Sequence, residues 1–175
     1  VAQGMRSLLI CEGEINAVSC WQAANCTGLD VLSVGSEGAQ LSEELLTLAG
    51  RYRRALVWFD REERAHAAMA AIPGAYGIKS LGEKENKQDA NVLLQQGLLG
   101  GFLATVRADA AQDRQELTGL VWDLWDGSHL RLDGLDGATA AALGKLAGKL
   151  GLEAPLRQSV TGRWYADLVR KGDGQ

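Results

Sequence analysis

Aromatic side chains are scarce in this 175-residue chain, 6% in all, and there are only 2 prolines. A core built from such a composition has to be mainly aliphatic. The 3 cysteines, Cys11, Cys20 and Cys26, form no C-x-x-C pair, and the 2 histidines, His66 and His129, lie far from them in sequence. That spacing argues against a structural zinc site and suits a reducing compartment. No apolar run approaches the roughly 20 residues of a membrane-spanning helix. No basic-then-apolar leader opens the sequence either. The expected setting is therefore cytoplasmic, with no membrane partner. Basic residues are also in short supply, 18 Lys and Arg against 22 Asp and Glu for a net charge of −4. This excludes a protein that grips nucleic acid by bulk positive charge. A protein that reaches phosphates through bound metal ions stays open.

What is present is an ordinary globular mixture, 46% hydrophobic and 23% charged, enough to bury a core. Short apolar runs alternate with helical stripes through the first hundred residues. Ser7 to Cys11, Val31 to Val34, Ala55 to Phe59 and Tyr76 to Leu81 read as strands, and Ala55 to Phe59 is the strongest. Between them, apolar positions such as Leu41, Leu45, Leu48 and Ala49 recur at helical spacing, and 89–96 reads as a short helix. Such alternation predicts an α/β domain over 1–100, a parallel sheet with helices on its faces. A connecting helix or linker over 101–114 and a small α+β appendage over 115–175 follow. In the appendage, Val121 to Trp125 and His129 to Leu132 around Asp126-Gly127 predict a β-hairpin. A helix is expected over 138–150 and a returning strand within 159–169. Trp122, Trp125 and Trp164 fall in strand-like segments and read as appendage core rather than a surface for stacking bases.

In parallel α/β sheets chemistry gathers beyond the carboxyl ends of the strands. Acids stand at three such positions: Glu12 after the first strand, Asp60 and Glu62 after the third, Asp89 after the fourth. Each taken singly is ordinarily a helix-capping residue. Gathered in one crevice, the four would repel one another, and a divalent cation is the physical remedy. Mg²⁺ accepts one or two carboxylates and completes its shell with water and phosphate oxygens, which suits phosphoryl transfer.

The segments LLICEGEINAVSCWQA, VLSVGSEGA, ALVWFDREERAHAAMAAI and KQDANVLL resemble, in order and separation, the Toprim domain. The closest similarity is to DnaG-type primases and to phage and Twinkle-like primase–helicases, over roughly residues 7–97. The resemblance implies a Rossmann-like fold, a central mainly parallel sheet flanked by helices, carrying an Mg²⁺ or Mn²⁺ site for nucleotidyl transfer or strand cleavage. Glu12 would be a metal ligand or general acid–base, Asp60 and Glu62 the metal-binding acid pair, and Asp89 a further metal-binding acid. Glu12, Asp60 and Glu62 would be catalytic. Lys87, Asn91, Arg61, Gly35 and Ser36 would contact nucleotide or phosphate. The implied activity is RNA primer synthesis from ribonucleoside triphosphates on single-stranded DNA, with a replicative helicase or the remaining primase modules as partners. A metal-dependent Toprim nuclease and a non-catalytic Toprim scaffold are the alternatives. The chain departs from the family pattern at Asn16, Glu62 and Ala65, where Asp, Asp and Gly are usual, and it carries Arg61 between the two acids.

Overall fold

The structure is a computed structural model that describes residues 6–24, 28–35, 39–82, 87–111 and 114–172. Two compact units divide the chain, residues 1–100 and 101–175.

The first unit is α/β. Its elements are β1 (Ser7–Cys11), α1 (Glu14–Ala24), β2 (Leu29–Ser33), α2 (Glu43–Ala49), β3 (Arg54–Trp58), α3 (Glu62–Ala71), β4 (Tyr76–Gly77) and α4 (Ala90–Gln95). The four strands form one all-parallel sheet in the order β2-β1-β3-β4, a Rossmann-like arrangement. The central strand β1 is apolar on both faces because both are covered; Leu8, Leu9, Ile10 and Cys11 are all buried. Successive side chains alternate across the sheet. Leu8 and Ile10 therefore join Ala55, Val57 and Phe59 in a cluster closed by Leu45 and Ala49 of α2 and by Ala65, Ala68 and Ile72 from α3 and its end. Ala17, Cys20 and Ala24 of α1 and Leu93 of α4 are buried outside that cluster, and α1 packs against α4. The Cys11 and Cys20 thiols are free and buried. Their mutual hydrogen bond, then burial, pushes Cys11 well above the ordinary thiol range.

The strand order has a chemical consequence. The chain leaves β1 for β2 on one side, then crosses back to add β3 on the other. The topological switch point thus falls between β1 and β3, and in open α/β sheets ligands bind beyond the carboxyl ends at such a point.

Two expectations for this unit are adjusted. The second strand begins earlier, at Leu29, which pairs with Ser7 at the start of β1; Asp30 inside it accepts from Arg6 Nε at 3.0 Å. The fourth strand stops at Gly77 instead of Leu81. Beyond it the Ile78 amide still donates to the Val57 carbonyl at 2.8 Å, and Leu81 forms an isolated antiparallel bridge with Gln88.

The second unit holds the residues of α5 (Leu99–Asp109) from Gly101 onward, then α6 (Arg114–Leu124), β5 (His129–Leu135), α7 (Gly137–Lys149), β6 (Leu152–Glu153), β7 (Leu156–Gln158) and β8 (Trp164–Arg170). Its sheet is antiparallel, ordered β5-β8-β6 with β7 also on β8. The expected hairpin at Val121 to Leu132 is corrected, since Val121 to Leu124 belong to helix α6. Leu117, Leu120, Val121 and Leu124 recur at intervals of three, four and seven, and that helical stripe meets the core. The tight hairpin of this unit is β7–β8, turning at Ser159 to Gly162, where the Gly162 amide donates to Ser159 O at 3.0 Å. The returning strand therefore begins at Trp164 and not at Ser159. Trp125 and Trp164 pack on the core, whereas Trp122 is half exposed. Asp136 caps α7 by accepting from the Thr139 amide at 2.7 Å. Within β5 the register slips at Gly134 (φ 76°), a bulge after which Leu135 returns to the core.

Half-buried Asp109 accepts from the Asp136 amide at 3.1 Å. Burial raises its carboxyl above the ordinary aspartate range, and that hydrogen bond only partly opposes the rise. The folded unit thus binds this proton more tightly than the unfolded chain does. Its stability falls as pH climbs from the ordinary aspartate value through the raised one. In Asp109→Asn this fall is absent, and the second unit unfolds at higher urea than the parent at pH 7; urea titrations between pH 4 and 8 check it.

Candidate functional site

Glu12 is the first residue beyond β1, and its side chain turns into the protein: the residue is only 3% exposed. A buried carboxylate costs several kcal/mol unless it is paired and hydrogen-bonded. Both of its oxygens are engaged. Oε2 accepts the backbone N–H of Asp60, two residues beyond β3, at 2.9 Å. Oε1 meets the guanidinium of Arg64 in the first turn of α3. Arg64 also donates to the carbonyl of Ala39, in the connection after β2, and its guanidinium lies 5.4 Å from the centre of the Phe59 ring. The carboxyl ends of β1 and β3 and the segment after β2 are therefore joined through one ion pair.

The remaining acids are wetter. Asp60 has a half-exposed side chain, and the Lys87 ammonium lies 3.3 Å from its Oδ1 while donating to its backbone carbonyl at 2.6 Å. That contact brings the segment holding Lys87 to the end of β3. Glu62 opens α3, largely exposed, with the Lys79 ammonium 3.8 Å away. Asp89 is the N-cap of α4 and accepts from the Val92 amide at 2.8 Å. Asn91 follows in the first turn of α4, half-buried. Arg61 is exposed just ahead of α3 and makes no capping bond with its side chain.

Gly35 holds φ +89°, and its amide donates to Ser33 Oγ at 2.9 Å. Ser33 Oγ in turn donates to the Glu12 carbonyl at 3.3 Å, which sets this turn beside the end of β1. Ser36 lies outside the described residues. The structure thus brings Glu12, Asp60 and Lys87 together at the switch point, with the Gly35 turn beside them. Asp89 caps α4, and Glu62, largely exposed, has only a loose surface pairing with Lys79.

Among the described residues, no three His, Cys, Asp or Glu side chains converge as a self-sufficient metal cage. Mg²⁺ does not require one, since one or two carboxylates with water and phosphate oxygens suffice. Asp60 and Glu62 fit that role as exposed oxygen donors two residues apart at the carboxyl edge. Glu12 does not fit it as arranged, because a backbone amide and a guanidinium take its two oxygens.

Arg64 is the residue that sequence reading missed. The cation expected among the acids is Arg61, yet Arg61 is exposed and Arg64 makes the pair. The available signal is positional: Arg64 falls four residues before Ala68, beside the buried stripe Ala65, Ala68 and Ile72. No protein-family model, curated protein or solved structure matches the chain.

Replacing Glu12 with Gln keeps an acceptor for the Asp60 amide but leaves the guanidinium without its anion. The expected loss is about 3 kcal/mol, near the lower end for a broken buried pair because Arg64 keeps some solvent contact. Lys79→Gln, at an exposed pair, shifts stability by less than about 0.5 kcal/mol. Urea unfolding of the full chain compares the two.

Proposed function

We propose that the first unit is a Toprim-type catalytic core that performs Mg²⁺- or Mn²⁺-dependent nucleotidyl transfer. Its task would be primer synthesis from ribonucleoside triphosphates on single-stranded DNA, as part of a DNA primase or primase–helicase. The observation that carries this reading is the meeting of Glu12 and Asp60 at the β1/β3 switch point of an all-parallel sheet. Support also comes from the sequence resemblance, whose acids and Lys87 fall at the carboxyl ends of these strands or just beyond them.

Asp60 and Glu62 would hold the cation, which when bound supplies charge neutralisation at a phosphoryl group and orients it for attack. Glu12 fixes the backbone at Asp60 and so aims the Asp60 carboxylate outward. Lys87 and exposed Arg61 offer cations to the phosphates of a triphosphate, and the Gly35 turn borders the same edge. Asn91 and Asp89 are candidates for the nucleotide side, reached through α4. The protein would work in a reducing, cytoplasmic setting, which the buried free thiols of Cys11 and Cys20, among the described residues, suit. Among the described residues no helix is long and apolar enough to cross a membrane.

One observation favours a second reading, a non-catalytic scaffold. Glu12, Asp60 and Glu62 each already face a cation of the chain itself, Arg64, Lys87 and Lys79. Thermal unfolding with and without magnesium separates the two. On the catalytic reading, Mg²⁺ at ten times its Kd stabilises the parent by about 1.4 kcal/mol, and Asp60→Asn abolishes the effect. Template-dependent joining of ribonucleotides with Mn²⁺ is expected from the parent and not from Asp60→Asn. Nucleic-acid degradation in its place identifies a nuclease, and silence in both assays identifies the scaffold.

A further inference from the structure

Arg64 has a chemistry that the acid motif alone does not call for. Its guanidinium is permanently charged and has five N–H donors. Here they serve a carboxylate that is almost dry and a backbone carbonyl in another connection, with an aromatic ring under the charge. The three partners, Glu12, Ala39 and Phe59, come from three separate segments. A pair with one member at 4% side-chain exposure is not exchanged with solvent ions as the surface pairs of Lys79 and Lys87 are.

We propose that Arg64 is the resident cation of the β1/β3 switch point, taking the place on Glu12 that a divalent ion would otherwise occupy. Glu12 is then a positioning residue for Asp60, and the site holds its ion on Asp60 and Glu62 alone. This deepens the metal-dependent reading given above and rests on it for the role of Asp60 and Glu62. It concerns a different pair of side chains. Removing the guanidinium leaves a buried carboxylate that must either take a proton or take another cation, and a divalent ion is the better match.

The test counts bound Mn²⁺ by electron paramagnetic resonance in the full chain and follows thermal unfolding in EDTA and in millimolar Mn²⁺. Arg64→Gln is expected to bind one more ion per chain than the parent. Its melting temperature, lowered in EDTA, should recover with Mn²⁺ by several degrees more than the parent gains. Arg64→Lys, which keeps the charge, should match the parent count. The double variant Glu12→Gln/Arg64→Gln removes both charges from the pair, remains testable if Arg64→Gln fails to fold, and should also keep the parent count. Equal counts in the parent and Arg64→Gln overturn the proposal. So does a double variant that retains the extra ion or loses an ion the parent has. A parent that binds no ion overturns the reading of Asp60 and Glu62, while the difference between the parent and Arg64→Gln still judges Arg64.

Discussion

A carboxylate cut off from bulk water must find its compensation inside the protein, and around Glu12 that requirement organises the whole carboxyl edge of the parallel sheet. Its Oε2 fixes the exit of β3 through the Asp60 amide. Its Oε1 fixes the first turn of α3 through Arg64, and Arg64 passes the constraint on to the connection after β2 at Ala39. Three segments that local sequence would leave independent are thus held in one geometry. The apolar strands decide that a sheet forms; this buried pair decides how its business end is laid out.

The charges at that edge are graded from dry to wet. Glu12 and Arg64 are mostly enclosed, Asp60 and Lys87 are about half enclosed, and Glu62 and Lys79 stand largely in water. Coulombic pairing weakens along that series as solvent screens it, so that the outermost pair contributes about 0–1 kcal/mol and is readily exchanged. The inner pair behaves as scaffold, while the outer carboxylates and ammonium groups remain available to a ligand. An anionic ligand that brings its own counter-ions would find both signs of charge at the accessible end.

Much of the first unit was legible in the sequence because its signals are local. Leu8 to Cys11 and Ala55 to Trp58 are apolar on both faces, as strands of a covered parallel sheet need to be, and helical stripes recur between them. The strand-end rule located Glu12 and Asp60 correctly relative to the sheet. It could not reveal that Glu12 turns inward, because the choice depends on Arg64, a residue 52 positions away in the chain. Asp89, one of the four acids expected to converge, has a carboxylate oxygen on its own helix terminus, where the nearest amide donor is three residues away. The second unit was harder to read. Val121 to Trp125 is short, aromatic and followed by Asp-Gly, all of which suggest a strand and turn. Only the longer window back to Leu117 shows the helical period that prevails. The fourth strand lost most of its expected length because only Leu56 and Val57 of β3 pair with it.

The bulge at Gly134 has a further bearing on how this chain can vary. Up to Leu132 the alternation puts every second residue of β5 inward, and strict continuation would send Leu135 outward and Asp136 into the apolar interior. The extra residue resets the phase, so that Leu135 is enclosed and Asp136 emerges in position to start α7. The extra residue is matched to its backbone, since at φ 76° the bulge favours glycine. Along His129 to Asp133 the outward side chains can drift freely among polar types. A homologous chain one residue shorter at 134 would run as a plain strand with Leu135 still enclosed, whereas one that keeps the length should keep the glycine.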